Sequence, residues 1–126
     1  MKQIPFYKMS GAGNDFIIID NRNRIVADTD LSGFIARVCR RKMSAGADGL
    51  ILIEASDKFD FRWRFFNSDG SHAEMCGNGA RCAARFAQVS GIAGATLSFE
   101  TDAGVVSAQI NEGRVKVKMP DPSDLK

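Results

Sequence analysis

Cys76 stands directly before Gly77, Asn78 and Gly79 in the stretch FFNSDGSHAEMCGNGARCAARFAQVSG, residues 65–91. Glycine is a poor interior helix former, so this pair belongs in or just before a first helical turn, where a missing side chain lets a ligand approach the backbone. A thiol at such a place feels unpaired N–H groups and the positive end of the helix dipole. These can lower its pKa from about 8.5 into the range of roughly 3.5–7.5. Cys76 is therefore a candidate thiolate, and the same N–H groups suit a substrate carboxylate beside the sulfur. The plainer reading is a buried cysteine next to turn-forming glycines. Asn67, Ser68, Ser71 and Asn78 weigh against it, because a packing cysteine needs no cluster of hydrogen-bonding groups around it.

Other chemistries fail on residue type or spacing. His72 is the one histidine, which leaves no paired-ligand spacing for a metal and no Ser-His-Asp hydrolase without it. There is no Cys-x-x-Cys, and although the lysine content leaves pyridoxal phosphate chemistry open, no phosphate cup is recognisable. The glycine-bearing loop Ser10–Asp15 has Phe16 where a dinucleotide fingerprint needs its third glycine, the same test fails over Gly77–Cys82, and no Walker-type lysine follows either. On spacing alone, Asn14 in that loop is a turn residue. Cys82, six residues beyond Cys76, points away from it on a helix of 3.6 residues per turn and reads as core. What remains is a thiolate general base with a carboxylate pocket, suited to removing a proton next to a carboxylate. Inverting a stereocentre also needs a donor on the opposite face, and no second group is evident.

The elements that must hold these residues follow from periodicity. Ile4–Met9 and Phe16–Ile19 read as strands around the Ser10–Asp15 loop. Leu31, Phe34, Ile35, Val38 and Cys39 recur at helical spacing, with Thr29 or Asp30 as cap, Arg37, Arg40, Arg41 and Lys42 outside, and Cys39 on the apolar stripe. Gly46–Gly49 turns the chain into Leu50–Ile53, a strand too apolar to be buried on one side only. Phe61, Trp63 and Phe65 alternate with Arg62 and Arg64 in a half-buried strand. The helix from about Asn78 to Val89 carries Arg81, Arg85 and Gln88 on one stripe and is otherwise rich in alanine, so it should be enclosed by sheet and stopped at Gly91. Thr96–Thr101, Val105–Ile110 and Val115–Met119 form a meander that Pro120 and Pro122 end, and Asp121–Lys126 reads as the start of a linker.

At 126 residues, 44% of them hydrophobic and 25% charged, the chain fits one domain with its own core. A net charge of +2 from scattered basic residues suggests neither a nucleic-acid footprint nor a membrane patch. No segment reads as a signal peptide or a membrane span, and three cysteines without framework spacing agree with a reducing, cytoplasmic setting.

Four segments taken in order, Lys8–Phe16 (KMSGAGNDF), Gly46–Leu50 (GADGL), Phe66–Ser71 (FNSDGS) and Cys76–Cys82 (CGNGARC), resemble the N-terminal half of diaminopimelate epimerase. Enzymes of that family work without a cofactor and interconvert LL- and meso-diaminopimelate in lysine biosynthesis. The resemblance implies that Cys76 is one of two catalytic thiols and that Asn14, Asn67, Gly77 and Asn78 line the substrate site. Where some relatives place a glutamine contact, this chain has Gly49. The implied fold is α+β, a mixed and mostly antiparallel sheet curled around a central helix, one of two pseudo-symmetric halves. Residues 1–119 would form the N-terminal domain, and 120–126 would begin the linker to a second one. The partners implied are a small amino-acid substrate and that second domain, with a homodimer admitted. Proline racemase-like enzymes resemble the chain around the thiol but usually carry histidine at the position of Asn78, and phenazine-biosynthesis-type isomerases use a carboxylate base in place of the cysteine. A non-catalytic small-anion-binding module is the alternative of a different class.

Overall fold

Phe16–Ile19 and Leu50–Ile53 are apolar at every position because both faces of their strands are covered. In the computed structural model, which describes residues 6–11, 14–26, 31–39, 48–71, 77–112 and 114–118, they lie in β2 (Asn14–Asp20) and β3 (Gly49–Glu54). The two pair in parallel with Phe16 opposite Gly49. Alternation sends Phe16, Ile18, Ile51 and Ile53 into one buried cluster and Ile17, Ile19, Leu50 and Leu52 into another. The second cluster is closed by α1 (Leu31–Cys39) through Leu31, Ile35 and Cys39.

Among the described residues the sheet has seven strands, whose spatial order equals their order in the chain. β1 (Tyr7–Gly11) pairs antiparallel with β2, and β4 (Phe61–Asn67) pairs antiparallel with β3. β5 (Thr96–Thr101), β6 (Gly104–Asn111) and β7 (Arg114–Lys118) form the expected antiparallel meander. The connections that contain helices join parallel neighbours, α1 between β2 and β3 and α2 (Gly77–Val89) between β4 and β5. The β4–β5 pairing is confined to Phe61–Phe99 and Arg62–Glu100. There the Phe61 and Phe99 rings stack at 4.6 Å between centroids and 10° between planes, so side chains hold a seam with little backbone pairing.

Helix α2 packs on β1, β2, β3, β6 and β7. Because both outermost strands touch it, the sheet is curled around the helix. Gly79, Ala80, Cys82, Ala83, Ala84, Phe86 and Ala87 are its buried residues, and the small side chains let the strands approach closely. Arg81 is exposed, while Arg85 and Gln88 are half-buried. The helix ends as Gly91 foretold: φ is 77° there, its N–H donates to the Gln88 carbonyl at 3.2 Å, and the Ile92 N–H donates to the Ala87 carbonyl at 2.8 Å. That pair of bonds with a left-handed glycine is a Schellman stop.

Two expectations shift in extent. Strand pairing reaches further into the Ser10–Asp15 segment than its glycines suggested: Ser10 pairs with Asp15 and Gly11 with Asn14, because ladder bonds outweigh the weak strand propensity of these residues. The helix begins at Gly77, one residue earlier than Asn78. The caps Thr29 and Asp30, the basic residues Arg40, Arg41 and Lys42, and the stretch 119–126 lie outside the described residues. Among the described residues no helix is long and apolar enough to cross a membrane.

Candidate active site at the amino end of the central helix

One end of the sheet holds two of the candidate residues, Asn14 and Asn67. The ladder places Phe16 opposite Gly49 and Gly49 opposite Asn67, so the start of β2, the start of β3 and the end of β4 lie side by side. Asn14 opens β2 two residues before Phe16 and is described through its backbone. From Asn67 the chain runs through 68–76 and starts α2 at Gly77. Asn14 and Asn67 are thus brought to the same end of the sheet, and the chain leaves that end to enter the helix that begins Gly77-Asn78.

Under this row lies an aromatic floor. Phe16 and Phe65 meet edge to face, with centroids 5.7 Å apart, and both are buried. Gly49 makes their packing feasible, since a Cβ there would stand 2.9 Å from the Phe66 carbonyl oxygen and 3.0 Å from Cε1 of Phe65. The space that a side chain would take is filled by the Phe65 ring. Sequence reasoning singled out Gly49 only for what it lacks; a glycine opening an otherwise apolar strand was the available signal of close approach.

Asn67 is exposed, and its Nδ2 donates to the Ser71 hydroxyl at 3.1 Å. Its N–H donates to the Ser71 carbonyl at 2.8 Å, and its own carbonyl accepts the Gly70 N–H at 2.9 Å. The Asp69 carboxylate accepts both the N–H and the hydroxyl of Ser71, and these bonds hold its pKa below the ordinary carboxylate value. Residues 67–71 form a turn stiffened by its own polar groups, so much of the polar clustering seen in the sequence organises the loop. Ser68 is exposed within it.

Among the described residues, a Cβ added at Gly77 would meet nothing within 4 Å, so their packing does not require glycine there. Asn78 is half-buried, and its Oδ1 accepts from Arg81 at 3.3 Å. Cys76 and His72 lie outside the described residues. The other two thiols are core residues, as expected. Cys39 is 3% exposed in the cluster beneath α1 and Cys82 is 5% exposed in the cluster around α2. Burial pushes the Cys39 thiol up to about 11, with the Asp48 carboxylate adding to the rise. A hollow lined by Ser56, Asp57, Lys58, Arg62 and Glu100 opens at the far end of β3 and β4, away from Asn67.

A mixed sheet wrapped on one helix is the diaminopimelate epimerase-like fold. Three solved structures share it. They are a probable proline racemase from Agrobacterium radiobacter K84 (TM-score 0.72, 15% identity, covering 93% of this chain and 42% of that one), methylitaconate-delta-isomerase (0.70, 19%, 94% and 38%) and a Bacillus anthracis phenazine biosynthesis protein of the PhzF family (0.69, 22%, 93% and 40%). The diaminopimelate epimerase family model matches residues 6–124, and the chain belongs to that family. Among curated relatives, the diaminopimelate epimerase of Aquifex aeolicus is 48% identical over 95% of this chain and 47% of its own length, and that of Hydrogenobaculum is 50% identical over 89% and 44%. The chain spans about half the length of the curated relatives it matches.

Proposed function

We propose that this chain is the N-terminal half of an enzyme that inverts an amino-acid α-carbon without a cofactor, converting LL- to meso-diaminopimelate. What supports the reading is that Asn14 and Asn67 share one end of the sheet, with α2 the next element in the chain after Asn67, within a chain of this family. In this reading the Cys76 thiolate removes the α-proton from one face, and a second thiol from the other half delivers a proton to the opposite face. The first helical turn contributes N–H groups to the substrate carboxylate, where charge grows as the proton leaves. Open space beside Gly77 is what such an approach requires. Asn14, Asn67 and Asn78 supply amide groups that orient the amino acid. Residues 1–119 are the domain, 120–126 begin its linker, and the enzyme works in the cytoplasm.

The test is proton exchange. The enzyme incubated with LL-diaminopimelate in heavy water is expected to place deuterium at the α-carbon and to lose that activity in Cys76→Ser. Binding without exchange would instead identify a small-anion-binding module, and exchange that persists in Cys76→Ser would remove Cys76 from the mechanism.

A further inference from the structure

One residue nearer the site than the Phe16–Gly49 pair, the β2–β3 ladder is continued by a side chain. The Asp48 N–H donates to the Asp15 carbonyl at 2.8 Å, and the Asp48 carboxylate Oδ2 accepts the Asp15 N–H at 2.8 Å. That Asp15 N–H belongs to the peptide unit joining Asn14 to Asp15, so the carboxylate fixes the peptide plane that follows Asn14. From the other side β1 pairs Gly11 with Asn14 and Ser10 with Asp15, and the Ser10 hydroxyl donates to the Asp15 carboxylate. The start of β2 is therefore clamped between a neighbouring strand and one aspartate from β3's leading end.

We propose that Asp48 is a positioning residue: it sets Asn14 in place through the Asn14–Asp15 peptide and does not itself touch the substrate. The proposal rests on the reading of Asn14 as a substrate contact. It requires an acceptor oxygen at the reach of an aspartate and does not require its charge. Asp48→Asn keeps an oxygen at that reach and removes the charge, whereas Asp48→Glu keeps the charge and moves the oxygen by one methylene.

The experiment measures KM and kcat for diaminopimelate in the two-half enzyme bearing Asp48→Asn, Asp48→Glu, Asn14→Ala and the double variant Asp48→Glu/Asn14→Ala. Misplacement of a positioned group by about 1 Å costs up to about 100-fold, so Asp48→Glu is expected to lower kcat/KM at least about tenfold more than Asp48→Asn, chiefly through KM. In the Asn14→Ala background Asp48→Glu is expected to add nothing, the mark of two residues acting as one unit. An Asp48→Asn defect equal to that of Asp48→Glu would overturn the proposal in favour of a charge effect. Multiplying defects in the double variant would overturn it in favour of an independent role. If Asn14→Ala alone leaves both constants unchanged, it is the reading of Asn14 that fails, and the positioning role falls with it.

Discussion

Gly70 is pressed against Ser32: a Cβ on the glycine would lie 2.3 Å from the Ser32 carbonyl oxygen, and the glycine's φ is 89°. The loop that follows Asn67 is thus seated on the first turn of α1, the helix covering the opposite face of the sheet. Steric space and backbone conformation both demand glycine at this point.

Gly70→Ala is accordingly expected to destabilise the chain by about 2–4 kcal/mol, the combined cost of a left-handed alanine and a displaced helix start. Ser32→Ala should change little, since the contact is made by the backbone. Denaturant titration of both variants checks this. An alanine at 70 that leaves the midpoint unmoved would mean that loop and helix are not coupled.

Gly77 behaves in the opposite way. With nothing within 4 Å of an added Cβ among the described residues, Gly77→Val should leave stability within about 1–2 kcal/mol of the parent. Substrate binding should fall, because the side chain occupies the space through which a carboxylate reaches the first-turn N–H groups. Calorimetric titration of the enzyme with diaminopimelate, beside a thermal melt, separates the two effects. Unchanged affinity would place the carboxylate elsewhere.

Cys39 carries a pH signature. Its folded pKa is raised from 9.0 to about 11, so the unfolded chain releases this proton at lower pH than the folded one. The stability this contributes is complete below about pH 9 and is lost as pH rises toward 11. Unfolding free energy should fall across that window, and less steeply in Cys39→Ala. Near neutral pH, iodoacetamide should modify Cys76 ahead of Cys39 and Cys82, because alkylation follows thiolate fraction and access. Peptide mapping that found Cys39 or Cys82 labelled first in the folded chain would contradict the assignment.

Much of the fold was legible because its signals are local. Leu50–Ile53 could be read as covered on both faces from composition alone, and the alanine-rich surface between Gly79 and Ala87 required enclosure. The Arg62 and Arg64 alternation marked a half-buried strand. The seam at Phe61 and Phe99 was not legible, since no periodicity reveals which of nine phenylalanines stack across a parallel junction. Gly49 and Gly70 look alike in sequence, yet one makes room for a ring and the other fits beneath a helix carbonyl. The bond from the Asp15 N–H to Asp48 spans 33 residues. Spacing predicts such contacts poorly, because register decides them.

The last prediction concerns what this chain does without a partner half. Inversion through two bases requires groups on both faces of the α-carbon, and the chain has three thiols. Cys39, 3% exposed on the buried face of α1, has its proton held to about pH 11, and Cys82 is 5% exposed on the buried face of α2. Neither can meet a substrate at the helix start without unpacking a core, at a cost of several kcal/mol for the side chains displaced. On the proposed reading Cys76 is the remaining thiol, which gives one face only. The isolated 126-residue chain should therefore fold and form no meso isomer from LL-diaminopimelate, while slow exchange of the α-proton at the Cys76 face is expected if substrate still binds. Supplying the other half of the relatives' length should restore inversion. The assay is chiral chromatography of the product beside deuterium uptake in heavy water. Meso product from the isolated chain, at a rate like that of the two-half enzyme, would require a second proton donor within these residues and would reopen the placement of Cys39 and Cys82.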